Sequence, residues 1–259
     1  MCVMFEKWME FVGLYIYTVL TGFLLVYFEA SILIVVALLL VLPAIIMWRL
    51  EFLTAWLLPI LLLIAVAVTV LFEATAYING IWYELSPSEV RVFGLFPVEA
   101  FLVAFSQVLY AVVLYEYFLD DREVSGDALV SWLLGGSVVV LGSGLAYVYL
   151  FSDAILSYGF GWVLLVGFTV FSLMIGLLHR HRLSILKKAA WFATLLYPIM
   201  LVLEYVSLEN SLRFFANTNE YLFSFTIAGH LIPIEELLFL WLMPFFLVTI
   251  YELYVDDGQ

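Results

Sequence analysis

Residues Phe11–Trp48 read FVGLYIYTVLTGFLLVYFEASILIVVALLLVLPAIIMW, with a single charged residue, Glu29. A helix rising about 1.5 Å per residue needs about 20 residues to cross ~30 Å of hydrocarbon. The two arms, Phe11–Phe28 and Ala30–Trp48, are each close to that length, so two spanning helices joined by a tight turn at Glu29-Ala30 are expected. Working outward, further charge-free windows run over Phe52–Phe72, Ala100–Tyr115, Ala128–Ser152, Ala154–Leu178, Ala189–Leu203 and Leu237–Tyr251. The shorter windows must borrow flanking residues to complete a crossing. The expected fold is all-α: a polytopic membrane helix bundle of about eight transmembrane helices, or seven if the turn at Glu29 does not separate the first two.

Composition agrees. Of the 259 residues, 66% are hydrophobic and 12% charged, and the mean hydropathy of +1.16 lies far from that of a soluble domain. Nine basic residues against 22 acidic ones give a net charge of -13. Nucleic-acid binding, which needs clustered Lys and Arg, is excluded on that ground. Cys2 is the only cysteine, so an intramolecular disulfide and a cysteine metal site are both excluded. Met1–Glu10 carries Lys7 between two glutamates and lacks the basic start and small-residue cleavage site of a secretory signal. The first apolar stretch is therefore expected to remain as a helix.

With eight spans, Lys7, Arg49, Arg122, Arg180, Arg182, Lys187 and Lys188 fall on one side of the membrane, and Arg91 and Arg213 on the other. The positive-inside rule then predicts a multi-pass protein of the cell membrane with both termini cytoplasmic.

An internal repeat emerges when the segment from Pro97 is laid on the segment from Pro233. Pro97-Val98-Glu99 matches Pro233-Ile234-Glu235. Without a gap, Leu102, Val112, Tyr115, Glu116, Asp120 and Asp121 match Leu238, Val248, Tyr251, Glu252, Asp256 and Asp257. Aliphatic matches are expected by chance in apolar sequence, but the Pro, Glu, Tyr-Glu and Asp-Asp matches in register are not. Upstream, Phe72-Glu73 corresponds to Leu203-Glu204. Residues 1–259 are read as one membrane domain made of repeat units 1–121 and 122–259. Four helices per unit give both units the same orientation, a parallel repeat about an axis along the membrane normal.

This topology gathers acids at one face. Glu73 and Glu204 end their helices there, while Glu99, Glu235 and Glu236 begin the next ones. Glu116 and Glu252 lie roughly 28 Å farther along their helices, so they are read as snorkelling or loop-facing groups outside the site. Local capping explains part of the pattern: Pro at the first helical position followed by Glu suits a helix N-terminus. It does not explain Glu236, nor Glu73 and Glu204 at C-termini, where negative charge opposes the dipole. A membrane carboxylate costs about 2.5–3.5 kcal/mol on insertion scales, so several at one depth point to use. Burial favours the neutral carboxyl and a helix N-terminus the anion. If burial prevails, one of Glu235, Glu236 and Glu204 keeps a proton and serves as a general acid. Apolar surroundings and aromatic faces would stabilise a cation formed on a lipid-soluble substrate. Trp82, Tyr83, Phe239 and Trp241 are the nearby candidates, although an interfacial aromatic belt accounts for each singly. His230 and the pair His179 and His181 fall on opposite sides of the membrane, so no metal cluster is expected. No dinucleotide fingerprint or phosphate loop is present, so no cofactor is expected either.

Pro233-Ile234-Glu235-Glu236-Leu237-Leu238-Phe239, followed by Pro244 and Tyr251-Glu252, resembles the Pro-x-Glu-Glu helix of the small membrane carotenoid cyclases. That family comprises the heterodimeric bacterial lycopene cyclases, their fused archaeal relatives and the cyclase domain of fungal bifunctional phytoene synthase/lycopene cyclases. Phe72-Glu73, Gly80, Trp82 and Tyr83 resemble its acidic helix end and Gly-x-Trp segment. The likeness covers roughly residues 53–121 and 190–257. It implies a cofactor-independent isomerisation: an enzyme acid protonates the terminal double bond of a linear carotenoid, the next double bond attacks the tertiary cation, and proton loss leaves a β- or ε-ring. Glu235 and Glu236 match the family's acids, Glu99 is the first copy's equivalent, and Glu73 and Glu204 would support proton handling. Pro97 and Pro233, with the four aromatics above, would border a hydrophobic carotenoid such as lycopene, drawn from membrane lipid. The copies are unequal. The first reads Pro97-Val98-Glu99-Ala100 and lacks the second acid, and the second has Arg213-Phe214-Phe215 where the first has its Gly-x-Trp segment. A C50 carotenoid cyclase, a non-catalytic carotenoid-binding or assembly subunit, and a transporter remain as alternatives. A transporter calls for polar groups through mid-membrane, where the fourth and eighth helices offer little besides Ser106, Gln107 and Thr249.

Overall fold

In a computed structural model, residues 2–51, 59, 62, 63, 65, 66, 82–84, 88–92, 94, 96–119, 183–215, 221 and 223–254 are described. The expected spans Ala128–Ser152 and Ala154–Leu178 and most of Phe52–Phe72 lie outside them, as do Glu73, His179 and His181.

The opening stretch forms two separate helices. α1 (Cys2–Tyr27) ends where Glu29 takes a positive φ of 48°. The Ala30 N–H reaches the Leu25 carbonyl at 3.0 Å and the Glu29 N–H the Val26 carbonyl at 3.1 Å. This is a Schellman ending with glutamate where glycine is usual. Asn210 secures it from another helix, its amide donating to the carbonyls of Leu25 (3.1 Å) and Ala30 (3.0 Å). The next span continues through α2 (Ile32–Val36), a π-helical turn (Ala37–Val41) and α3 (Leu42–Glu51). The π turn stands just before Pro43, whose ring and missing N–H disturb the preceding α-helical bonding.

α4 (Val98–Leu119), α5 (Leu183–Glu209) and α6 (Ile234–Tyr254) complete the bundle. Among the described residues four stretches are long and apolar enough to cross a membrane: Lys7–Tyr27, Ile32–Arg49, Val98–Leu119 and Ile185–Glu209. α4 is central, with every residue from Val108 to Tyr117 buried. α6 packs along α5 and also touches α4. The rings of Tyr115 and Tyr251 meet at 6.3 Å. Each lies 17 residues past the start of its helix (115 − 98 and 251 − 234), so α4 and α6 run parallel with their ends level. α1 leaves Val12, Ile16, Val19, Phe23 and Tyr27 exposed at helical spacing. An apolar stripe of that length left open by the described residues suits lipid, and the chain is largely helical with four helices able to cross a membrane.

The all-α expectation needs amendment at one end of the bundle, where three two-stranded antiparallel sheets form. β1 (Trp82–Glu84) pairs with β4 (Arg213–Phe215), β2 (Arg91–Val92) with β3 (Phe96–Pro97), and β5 (Ser224–Ile227) with β6 (His230–Pro233). Inter-helix segments must satisfy their backbone N–H and C=O groups, and pairing with one another does so. Pro97 and Pro233 accordingly close strands instead of opening helices, and α4 and α6 begin at the residues that follow.

α5 also runs past its expected limits. It takes in Lys187 and Lys188 at one end and continues from Glu204 to Glu209, so Glu204 is not at a C-terminus. Val206 and Leu208 are buried and carry the helix on. It stops in a second Schellman turn at Ser211 (φ 54°), with Leu212 N–H on the Ser207 carbonyl at 2.8 Å.

Candidate active site

The turn at Ser211 sends the chain back across the top of α5 as β4. Its register with β1 sets Trp82 opposite Phe215, Tyr83 opposite Phe214 and Glu84 opposite Arg213. Arg213–Phe215 therefore pairs directly with the strand that begins at Trp82. Pairing brings the Arg213 guanidinium over the Trp82 indole, 4.6 Å from its centroid, and 5.6 Å from that of Phe215.

One nitrogen of Arg213, Nη1, donates to Glu204 Oε2 at 3.1 Å and to Glu236 Oε1 at 2.8 Å. The side chains are 12%, 6% and 1% exposed for Arg213, Glu204 and Glu236 respectively. An acid late in α5 and an acid in the first turn of α6 are thus joined through a cation from β4. The other oxygen of Glu204, Oε1, is buried without a hydrogen-bond partner. Glu235 is buried beside Glu236 on α6. Glu99 is buried too but is held elsewhere: it accepts the Ser88 backbone N–H at 3.1 Å and the Ser88 hydroxyl at 3.0 Å.

The expected aromatic set is divided. Trp82 is fully buried against Arg213, and Tyr83 is half-buried with its ring 5.5 Å from that of Phe214. Phe239 is buried in the bundle core. Trp241 lies at the seam of α5 and α6, its indole N–H donating to the Thr194 hydroxyl at 3.1 Å and its ring stacked on Phe245 at 5.5 Å. Pro97 and Pro233 are buried at the strand ends that lead into α4 and α6. Beside the ionic cluster a cleft of about 500 Å³ is bordered by Arg213, Phe214, Phe215, His230 and Leu231. His230 Nε2 is 3.4 Å from Glu209 Oε1 at its margin. Among the described residues, no group of three or more His, Cys, Asp or Glu is placed to hold a metal ion.

Two readings change. Glu116 and Glu252 are not snorkelling or loop-facing: both are buried at the opposite end of the bundle. Neighbouring helices cover them, and Glu252 accepts a charged hydrogen bond from Lys188 at 3.2 Å, which a buried carboxylate requires. Arg213 is the functional residue that sequence reasoning passed over. The available signal was its position, since the expected eight-span topology sets it and Arg91 apart from the other basic residues, on the side where acids gather.

Compared with known protein families, with curated proteins and with solved structures, the chain matches none.

Proposed function

We propose that this protein is a carotenoid end-group cyclase of the lycopene cyclase type, a cofactor-independent isomerase acting on a linear carotenoid within the cell membrane, with both termini cytoplasmic. The observation that carries the reading is the convergence of Glu204 and Glu236 on Arg213, buried at the lip of a cleft that Phe214, Phe215 and Leu231 wall on its apolar side. The resemblance of the Pro233–Phe239 segment to the family's acidic helix supplies the substrate class. The eight spans and the two parallel four-helix units belong to the same proposal. They are supported by an element order of strand, hairpin and helix that occurs first as β1, β2–β3, α4 and again as β4, β5–β6, α6.

The chemistry needs an acid strong enough to protonate an alkene, a place for the cation, and a base. Two carboxylates and one guanidinium sum to one negative charge. The bridged set is neutral when it holds one proton, the form that is cheapest to bury. Passing that proton to the terminal double bond creates a tertiary cation. The next double bond attacks it and closes the ring, and a carboxylate of the same set takes the proton lost in forming the β- or ε-ring. The reaction is balanced in protons and electrons, with no redox partner. In this account Glu236 and Glu235 are the acids, Glu204 receives or relays the proton, Arg213 holds the conjugate base in place, and Glu99 and Glu73 serve the equivalent positions of the first unit. The aromatic faces at β1 and β4 border the developing cation.

Expression in a lycopene-accumulating bacterium with pigment analysis tests the proposal. Wild type is expected to yield ringed carotenoid, and Glu236→Ala to leave the linear pigment. Unchanged linear pigment with the wild type would remove the enzyme reading. Equal ring formation by both would dismiss Glu236 as the acid.

A further inference from the structure

The β5–β6 hairpin exposes an apolar face that the reaction does not use. It is closed by Ala228 and Gly229, both at positive φ (51° and 88°). This is the type I′ pattern, which matches the twist of the paired strands. The register sets Phe225 opposite Ile232 and Ile227 opposite His230 on one face, and Ser224 opposite Pro233 and Thr226 opposite Leu231 on the other. Phe223 shares the face of Phe225, and their rings meet edge to face at 4.7 Å. Phe223, Phe225 and Ile227 are 58%, 39% and 44% exposed. A two-stranded ribbon is marginal in water even without such a row. Contiguous exposed apolar side chains mark a surface that meets something.

The ribbon is not free to leave the bundle. The backbone N–H of Ile234, the first residue of α6, donates to the Phe223 carbonyl at 2.8 Å. Ile232 and Pro233 at its base are buried, and β6 also touches β4. The hairpin is therefore a direct extension of α6 and stands at the level where that helix begins. Its apolar row has the same chemistry as the exposed stripe of α1, which suits lipid. The backbone sets how deep it can go. A two-stranded ribbon has two outer edges, whose N–H and C=O groups need water or headgroups, so it is excluded from the hydrocarbon centre. Aromatic side chains favour the interfacial layer for the same reason.

We infer that the β5–β6 hairpin is a lipid-docking surface, with Phe223, Phe225 and Ile227 seated in the interfacial layer of the bilayer on the hairpin side of the bundle. The occupant of this face is membrane lipid. The cleft beside Arg213 shares Gly229, His230 and Leu231 with the hairpin, so its mouth opens beside lipid. Lipid docking by the hairpin does not depend on the proposed reaction.

The test uses the full chain with Cys2→Ser and a single introduced cysteine, Phe225→Cys, bearing an environment-sensitive fluorophore and reconstituted in phosphatidylcholine vesicles. Ile16→Cys, on the exposed stripe of α1, is the hydrocarbon reference. Quenching is compared for lipids carrying a nitroxide near the glycerol, lipids carrying one at mid-chain, and aqueous iodide. Docking predicts blue-shifted emission and several-fold stronger quenching of the Phe225 label by the shallow nitroxide than by iodide or by the mid-chain nitroxide. A label quenched by iodide and not by either lipid would overturn the inference. So would a label shielded from all three, which indicates a protein on that face, or one quenched best at mid-chain. If Phe225→Cys does not give folded protein, Ile227→Cys on the same face gives the same readout.

Discussion

Arg213 bridges two carboxylates through a single nitrogen while its guanidinium plane lies over an indole. Arginine suits this setting because its charge is permanent, its plane stacks on aromatic rings and it is more weakly hydrated than lysine. Removing it leaves Glu204 and Glu236 in a buried site with their shared cation gone. Breaking a buried pair from one side costs about 3–5 kcal/mol. Arg213→Gln is therefore expected to lower the thermal midpoint of the detergent-solubilised protein sharply. Arg213→Lys keeps the charge but loses the stacked plane, a loss of about 0.5–2 kcal/mol, and falls between. The triple variant Glu204→Gln, Arg213→Gln, Glu236→Gln removes all three charges together and is expected to recover much of the stability lost in Arg213→Gln. An Arg213→Gln midpoint equal to that of wild type would mean that the cluster is not a buried ionic lock.

Among the elements, the crossing of α1 on α5 depends on Gly22. A Cβ at that position would stand 2.8 Å from Val202 Cγ1 and 3.4 Å from Val206 Cγ2. Valine has little freedom to turn aside because χ1 of a β-branched residue in a helix is nearly fixed. Gly22→Ala is expected to cost about 1–3 kcal/mol by overpacking, and Val202→Ala in the same chain to return most of it. Thermal midpoints of the two single variants and the double variant check this, and an additive double variant would contradict it. The described helices were legible because charge-free runs near spanning length have few other solutions, and the turn at Glu29 fell where the only charge between Phe11 and Trp48 lies. The strands were not. β2 and β3 have two residues each, too short for alternation to register. The β5–β6 turn is Ala-Gly, whose alanine at positive φ gives no conventional turn signal. The extension of α5 past Glu204 rests on Val206 and Leu208 finding partners, which local sequence does not report.

For the molecule as a whole, the register of Pro97 with Pro233 was enough to bring Glu204, Glu235 and Glu236 to one end, because helix length fixes which end each carboxyl occupies. It was not enough to separate Glu99, held by Ser88, from the pair held by Arg213, since that division depends on β1 meeting β4 across a long stretch of chain. The same pairing makes the two halves of the chain interdependent. Residues 122–259 carry Glu204, Arg213 and Glu236, while residues 1–121 carry the strand that pairs β4, the indole over Arg213, and α1 and α4 against α5 and α6. In a bilayer, helices associate through close packing and polar contacts because lipid is as apolar as leucine. Among the described residues, contacts between the halves are of that kind: Gly22 against Val202, the Asn210 amide on the end of α1, and the Tyr15 hydroxyl donating to the Leu195 carbonyl. Co-expressed as separate chains split after Asp121, the two segments are therefore expected to co-purify through a tag on either one. Segment 122–259 alone is expected to give poorly soluble or heterogeneous material, since β4 lacks its partner and the ionic cluster its aromatic cover. Size-exclusion chromatography in mild detergent reads both results. Two segments that purify separately as well-behaved species, and do not associate when made together, would show that the site is assembled within one unit.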